Sequence, residues 1–234
     1  MALLSVEGVT RRFGGIVAVD DVSFDVAEGE IVGLIGPNGA GKTTMFNLIT
    51  RLYRPDAGEI AFDGASLLRT PPHGIVKRGI ARTFQNVELF GSMTVLEHVL
   101  LGRHARRGRS AREVLNYVGL AEVAHRPAAE LPYGTQKRVE LARALASGPR
   151  LLLLDEPAGG LNHEEVVELG ALIRLLRVNL DLTILLVEHH MGLVMSIAER
   201  VHVLDFGRLI ASGTPAEVQG NRAVVDAYLG AVDA

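Results

Sequence analysis

The 234-residue sequence has no cysteine and no tryptophan, and only 5% of its residues are aromatic. Without cysteine, the chain can form neither disulfides nor thiolate metal sites. Since 48% of the residues are nevertheless hydrophobic, we expect a full core that is mainly aliphatic. A formal net charge of −3 gives no electrostatic reason to expect a nucleic-acid partner.

Long apolar runs are also lacking. No run approaches the roughly 20 residues that span a bilayer. The first residues, MALLSVEGVTRRF, lack the basic start and apolar stretch of a signal peptide. We therefore expect another chain to supply any membrane crossing. Glycine is abundant instead: its 26 residues exceed the usual share of roughly 7%, which predicts many tight turns.

Residues 36–43, GPNGAGKT, fit the phosphate-loop pattern G-x-x-x-x-G-K-[ST] at every fixed position. They lie between an apolar run at 31–35 and a helix-like run at 44–50, the context in which the pattern binds phosphates. Glycines let main-chain N–H groups wrap a phosphate, and the next helix adds its positive end. The expected nucleotide-binding residues are Gly36, Pro37, Asn38, Gly39, Ala40, Gly41, Lys42, Thr43 and Thr44. The alternative is a glycine-rich turn without a ligand.

Within this loop, Lys42 is expected to reach the terminal phosphates and the Thr43 hydroxyl to ligate Mg²⁺. Residues 151–157, LLLLDEP, place two carboxylates at the end of a buried strand, where ligand sites of α/β proteins lie. We expect Asp155 to hold Mg²⁺ and Glu156 to act as general base toward the attacking water. The alternative is a strand followed by a polar turn.

The remaining pattern predicts an α/β fold with parallel core strands. Residues 3–30 are β-rich, and strands are expected at 31–35, 59–62, 79–84, 151–154 and 182–187. Helical patterns occupy about 94–148, where Thr94 and Glu97 predict a capping box, and also 163–179 and 224–229. Residues 201–205 and 208–212 suggest a hairpin. The basic segment 103–112, RHARRGRSAR, is expected to be an exposed loop.

Over nearly its whole length, this order of motifs resembles the ATP-binding subunits of ABC transporters. Phe13 stands at the position of the adenine-stacking aromatic, and Gln85 in RTFQ at the glutamine loop. Residues 131–136, LPYGTQ, occupy the signature position with Gly134, and residues 158–162, AGGLN, the loop that crosses to the opposite subunit. His189 matches the switch histidine.

The resemblance implies a P-loop NTPase ABC ATPase fold with a mixed β core, an N-terminal antiparallel β subdomain and an inserted α-helical subdomain. One domain would span 1–234, with the core at about 1–85 and 150–234 and the helical subdomain at about 90–148. The implied cofactors are ATP and Mg²⁺. The implied catalytic residues are Glu156, His189 and Gln85, and the implied metal ligands are Thr43, Gln85 and Asp155. Gly134 would cap the nucleotide held by the opposite subunit.

The implied partners are a second ABC ATPase subunit, identical or a paralogue, and transmembrane permease subunits; a substrate-binding protein acts indirectly. The implied location is peripheral, at the cytoplasmic face of the plasma (inner) membrane. Three positions depart from the family pattern: Pro132 for Ser in the signature, His190 for Asp, and Asn162 for Asp.

Local strings such as YGTQKRVELARAL, LLVEHHMGLVM and the ending AYLG are most similar to the branched-chain amino acid uptake branch. An ATPase of a lipopolysaccharide-export system, a non-transport ABC ATPase and a nucleotide-binding regulator without turnover stay open as alternatives.

Overall fold

A computed structural model describes residues 2–106 and 108–229 and divides the chain into two compact units. The first unit comprises Met1–Ile75 and Thr183–Ala234, and the second comprises Val76–Leu182. Among the described residues, no helix is both long and apolar enough to cross a membrane.

The elements are numbered in chain order. The strands are β1 (Ala2–Phe13), β2 (Ile16–Ala27), β3 (Ile31–Ile35), β4 (Ala57–Phe62), β5 (Ala65–Ser66), β6 (Ile80–Arg82), β7 (Leu151–Asp155), β8 (Thr183–Val187), β9 (Arg200–Asp205) and β10 (Arg208–Gly213). The helices are α1 (Lys42–Ile49), α2 (Ile75–Arg78), α3 (Val95–Ala105), α4 (Ala111–Tyr117), α5 (Tyr133–Leu145), α6 (His163–Leu180), α7 (Met191–Ile197), α8 (Pro215–Gln219) and α9 (Arg222–Leu229).

The first unit opens with an antiparallel sheet of order β2-β1-β4-β5. Val6 on β1 lies opposite Phe24 on β2 and Ile60 on β4, and all three side chains are buried. Because side chains alternate between the faces of a strand, this register directs one face of the sheet into the core. The expected N-terminal antiparallel β region is therefore confirmed.

The first unit also contains a mixed set of strands in which β3 lies between β8 and β9 and runs parallel to both. Strands β9 and β10 form the expected antiparallel hairpin. All five residues of β3 are buried, as its unbroken apolar run indicates. At Gly33, a Cβ atom would lie 2.6 Å from Cγ1 of Val194, so the absence of a side chain lets α7 pack directly on β3.

The second unit joins the parallel strands β6 and β7 to helices α3 to α6. The expected capping box is confirmed: Thr94 Oγ1 accepts from the Glu97 N–H, and the Glu97 carboxylate accepts from the Thr94 N–H at 2.7 Å. Strand β6 is shorter than expected and ends at Arg82, because the Phe84 N–H donates to a side chain, Glu140 Oε1, at 3.1 Å.

The basic segment lies between α3 and α4, as expected, but residues 103–105 belong to α3 and residues 111–112 to α4, and the connection is not simply exposed. Arg106 Nη1 donates to the main-chain oxygens of Ser147, at 3.0 Å, and Gly148. Arg109 Nη2 donates to the oxygen of Leu180 at 3.0 Å. The prediction of an exposed loop is therefore wrong for these two arginines, which bind carbonyls just beyond α5 and at the end of α6.

Candidate functional site

The phosphate loop of the first unit follows β3 and ends where α1 begins, at Lys42. Gly36 and Gly41 have φ angles of 151° and 103°, and Cβ atoms there would lie 2.1 Å from the oxygen of Leu204 and 2.4 Å from the oxygen of Ala18. These contacts require glycine at both positions. At Gly39, whose φ is 78°, a Cβ would meet open space, so the tip of the loop presents main chain to its surroundings.

Lys42 is 7% exposed and folds back over this loop. Its Nζ donates to the oxygens of Gly36, at 2.7 Å, and Pro37, at 2.8 Å. Thr43, the next residue of α1, is exposed. Since Gly41 has no side chain to cap α1, the helix presents main-chain N–H groups and its positive end at the loop, which suits an anion.

A cavity of about 930 Å³ lies against the loop, within the usual size range of ligand sites. Six residues expected at the nucleotide site line the cavity: Gly36, Pro37, Asn38, Gly39, Ala40 and His189. Seven further lining residues were not predicted from the sequence: Asp205, Phe206, Ile210, Ala223, Asp226, Ala227 and Tyr228. Phe206 is 87% exposed in the turn between β9 and β10. An aromatic residue next to the turn glycine Gly207 is the sequence feature from which its exposure could have been predicted. Burial raises the pKa of Tyr228, which lies on the same cavity as Gly36, to about 12.

His189 is held beside the phosphate loop by the buried Glu188. Glu188 Oε2 accepts from the N–H groups of His189, at 3.0 Å, and His190, at 3.1 Å. The His189 side chain is 59% exposed, and its Nδ1 lies 3.9 Å from the same carboxylate. His190 Nδ1 accepts from the Leu193 N–H at 3.2 Å, so this departure from the family pattern caps α7 as an Asp would.

Phe13 ends β1 and is 38% exposed. Its ring packs edge-on against Tyr53, with centroids 5.1 Å apart, and the Arg11 guanidinium carbon lies 4.6 Å from the Phe13 centroid. Neither Tyr53 nor Arg11 was predicted from the sequence. The cluster keeps an aromatic face available for stacking against a planar ring.

In the second unit, Asp155 ends the buried strand β7. Its Oδ2 accepts from Arg82 Nη2 at 2.6 Å, and the two side chains are only 3% and 8% exposed. The main-chain N–H of Asp155 donates to Thr83 Oγ1 at 3.4 Å. Arg82, a further residue missed from sequence, therefore compensates the carboxylate charge at the end of β7.

The following residue, Glu156, accepts a hydrogen bond at its Oε2 from Gln85 Nε2 at 2.7 Å. The second unit thus brings two predicted catalytic side chains together. Glu156 has φ of 46°, in the left-handed region that non-glycine residues rarely adopt. Such strain is characteristic of functional positions whose surroundings hold the backbone in place.

Gly134 lies in the first turn of α5, which follows Pro132. A Cβ atom at Gly134 would lie 2.7 Å from Glu165 Oε1, so glycine lets the Glu165 carboxylate approach the start of α5 within the second unit. Glu165 also completes the capping box of α6 with Asn162, whose Oδ1 accepts from the Glu165 N–H at 3.0 Å. The Asn162 departure therefore preserves the cap that an Asp would form.

Comparison with known protein families shows to which family the chain belongs. Residues 19–159 match the family model described as ABC transporter. The chain belongs to the ABC transporter family. Residues 208–234 of this ABC protein match a second model, described as branched-chain amino acid ATP-binding cassette transporter.

Relatives match the ABC protein over nearly its full length. It is 44% identical to the high-affinity branched-chain amino acid transport ATP-binding protein BraF of Pseudomonas aeruginosa, covering 97% of this chain and 98% of that protein. The corresponding protein LivG of Salmonella typhimurium is 45% identical with the same coverage. The ADP conformation of MJ1267, an ATP-binding cassette of an ABC transporter, has a TM-score of 0.91 and 30% identity, covering 98% of this chain and 99% of that one.

These matches confirm the fold prediction and show that the chain is an ATP-binding ABC ATPase. The roles of individual residues stay predictions. The structure brings the phosphate loop and His189 to one cavity in the first unit, and it joins Gln85 to Glu156 in the second.

Proposed function

We propose that this ABC ATPase hydrolyses Mg²⁺-bound ATP to power the import of branched-chain amino acids. The observation that carries the ATPase chemistry is the phosphate loop, with Lys42 folded over it and His189 on the same cavity. The solute is supported by BraF and LivG, both named for branched-chain amino acid transport. These relatives favour uptake over lipopolysaccharide export and over a non-transport role.

Nucleotide binding depends on an exchange of partners at Lys42. Its Nζ hydrogen bonds with the oxygens of Gly36 and Pro37 give way to stronger bonds with phosphate oxygens, in which the acceptor as well as the donor is charged. Main-chain N–H groups of the loop and of the start of α1 supply the remaining contacts. The exposed aromatic face of Phe13 stacks on adenine.

The residues present suit Mg²⁺, which prefers oxygen ligands and shares them with nucleotide phosphates. The exposed Thr43 hydroxyl and the Asp155 carboxylate would hold the ion, with the Gln85 side chain near it. When bound, the ion neutralises charge on the phosphates. In the second unit, Arg82 Nη2 lies 2.6 Å from the Asp155 carboxylate and offsets its charge.

Glu156 takes a proton from the attacking water, while the amide of Gln85 fixes the carboxylate's direction. His189 stabilises charge at the γ-phosphate from the phosphate-loop cavity. Catalysis in this scheme is mostly positioning and charge stabilisation, as in other phosphoryl transfers.

A second ATPase subunit completes the site by supplying its signature segment, and the Gly134 segment of this chain serves the other nucleotide in return. The glutamine-loop region transmits closure and opening to permease subunits at the cytoplasmic face of the plasma membrane. A substrate-binding protein delivers the amino acid. Support for these partners comes from the family and from the relatives, which are ATP-binding proteins of transport systems.

The first prediction separates binding from hydrolysis. Lys42→Ala is expected to weaken Mg²⁺-ATP binding at least about tenfold, since charged hydrogen bonds are each worth about 1.5–3 kcal/mol. Glu156→Gln is expected to bind ATP normally but to lose turnover by about 10²- to 10⁴-fold, because the general base is removed. Isothermal calorimetry measures binding, and phosphate release measures turnover.

The matched control is Lys77→Ala, which removes an exposed lysine from the short helix α2. Size-exclusion chromatography with Mg²⁺-ATP should show Glu156→Gln as a stable dimer with ATP enclosed. Normal ATP binding by Lys42→Ala, or sustained turnover by Glu156→Gln, would contradict the proposed site.

The solute needs a separate measurement. The chain is co-purified with its permease subunits and binding protein in proteoliposomes, and ATP turnover is measured with leucine, isoleucine or valine and, for comparison, with glutamine or urea. Stimulation confined to the branched-chain amino acids supports the proposal. Stimulation by another class alone would overturn the solute assignment while leaving the ATPase intact.

A further inference from the structure

The helix that follows the signature, α5, carries a buried lysine that the function described so far does not use. Lys137 is 9% exposed. Its Nζ donates to the main-chain oxygen of Glu156 at 3.2 Å and approaches that of Gln85 at 3.4 Å. These are the two residues whose side chains are joined at 2.7 Å, so one ammonium group contacts both backbones.

Two further contacts show how Lys137 is enclosed. Its Nζ lies 5.5 Å from the ring centroid of Tyr133, in the signature itself. A Cβ atom built on Gly159, in the crossing loop, would lie 3.8 Å from the same Nζ. Burying an ammonium is unfavourable unless acceptors and π faces compensate for the lost water, and here carbonyls from two motifs and an aromatic face from a third supply that compensation.

One turn further along α5, Glu140 provides a second anchor on the same loop. It is 3% exposed, and its Oε1 accepts from the Phe84 N–H at 3.1 Å, with Arg143 Nη2 at 3.5 Å. Glu140 thus accepts from the main-chain N–H of residue 84, and Lys137, three positions earlier on α5, approaches the main-chain oxygen of residue 85. Because side chains at this spacing share a helix face, the glutamine loop is fixed against α5 by its backbone alone.

We propose that Lys137 is a positioning residue for ATP hydrolysis: its contacts with the main-chain oxygens of Gln85 and Glu156 hold the catalytic carboxylate in its working direction. The inference rests on the proposed role of Glu156 as general base. Glu156 adopts a left-handed backbone conformation, which persists only where the surroundings enforce it. Without the Lys137 contact, the peptide after Glu156 loses an anchor, and the direction of the carboxylate is no longer fixed.

The experiment measures steady-state ATP hydrolysis by the full chain, with turnover normalised to the ATP bound at saturation. Lys137→Met keeps the length and apolar stem of the side chain but has no donor. We expect kcat to fall by about 10²-fold, the loss typical of a catalytic group displaced by about 1 Å, with KM within about twofold of wild type. Lys137→Arg keeps donors that reach both oxygens and is expected to recover most of kcat.

The control is Arg112→Met, which removes an exposed cation from α4 in the same unit. Thermal unfolding and ATP affinity are measured for every variant. A role in folding alone would lower the melting temperature and the amount of ATP bound, but it would not lower kcat per bound ATP. If Lys137→Met does not fold, Lys137→Gln replaces it in the experiment. The kcat of Lys137→Gln is then expected to lie below that of wild type and of Lys137→Arg.

Measuring Glu156→Gln alongside these variants distinguishes a wrong assignment of Glu156 from a wrong assignment of Lys137. If Glu156→Gln hydrolyses ATP normally, Glu156 is not the general base, and the proposed catalytic site fails together with the positioning role. If Glu156→Gln is inactive while Lys137→Met matches Arg112→Met in kcat, or if Lys137→Arg is as slow as Lys137→Met, the positioning role is overturned and the proposed function stands.

Discussion

His202 shows at the scale of one residue how burial sets a pH limit on this fold. It lies on β9, is 2% exposed, and its ring centroid is 4.9 Å from that of Phe24. Burial lowers the pKa of His202 to about 4, and the nearby Arg200 charge lowers it further. The folded protein therefore holds a neutral imidazole at neutral pH.

The predicted consequence is a loss of stability in acid. Between pH 6.5 and 4 the unfolded chain protonates this histidine and the folded chain does not, so the free energy of unfolding falls as the pH falls through that window. Between pH 7.5 and 5 this contributes about 2 kcal/mol. His202→Phe should lose that part of the pH dependence, measured by urea unfolding at both pH values.

The exposed His73 provides the comparison, because His73→Gln should leave the pH dependence as in wild type. Equal pH sensitivity in His202→Phe and wild type would show that other groups cause the acid loss.

Residues that act through local spacing could be predicted from the sequence, and residues that act through tertiary contacts could not. Gly36, Gly41 and Lys42 stand in a fixed eight-residue pattern whose geometry is set by the chain itself. Lys137 and Arg82 look like ordinary surface charges in the sequence. Only the folded second unit shows that main-chain carbonyls contact Lys137 and that the Asp155 carboxylate pairs with Arg82.

At the scale of elements, apolar runs predicted the central strands well, because β3, β7 and β8 are buried along their whole lengths. The residue at which a strand ends was harder to predict from the sequence. Strand β6 stops at Arg82, since the backbone of residue 84 bonds with the distant Glu140. A single-sequence pattern contains no information about such a partner.

The segment between α3 and α4 leads to a prediction at this scale. Arg106 donates to main-chain oxygens just beyond α5, where helix carbonyls lack intrahelical partners. Removing it leaves part-buried carbonyls without a charged donor. Arg106→Ala is therefore expected to lower the free energy of unfolding by about 1–3 kcal/mol.

Chemical denaturation measures this loss, with the exposed Arg112→Ala as control, expected within about 0.5 kcal/mol of wild type. The same small effect for Arg106→Ala would mean that water replaces the arginine at no cost. In that case the basic segment would be an ordinary solvated loop after all.

At the scale of the whole molecule, the predicted site residues are divided between the two units: the phosphate loop and His189 in one, and Gln85, Asp155, Glu156 and Gly134 in the other. The order of motifs along the chain and the resemblance to a family could predict this set. Neither could predict the support for each residue, such as Glu188 beneath His189 or Tyr228 beside Gly36.

The signature departure at Pro132 yields a prediction about the assembled ATPase. Pro132 precedes α5 and offers no hydroxyl, neither to cap that helix nor to bind the γ-phosphate of the facing nucleotide. Pro132→Ser supplies the hydroxyl that the family pattern has. Since a hydrogen bond to a charged group is worth about 1.5–3 kcal/mol, and about 1.4 kcal/mol is a factor of ten, we expect turnover of the transporter to rise by at least about tenfold.

Pro132→Ala is the matched control, because it removes the ring without adding a donor and should not raise the rate. Combining Pro132→Ser with Glu156→Gln then reports the composition of the dimer. In a homodimer both sites lack the base, and the serine rescues nothing. With a paralogue, the site that faces this signature keeps its own base, so residual turnover should rise with the serine. A rate unchanged by Pro132→Ser in the otherwise wild-type chain would mean that the backbone of the segment alone serves the nucleotide opposite.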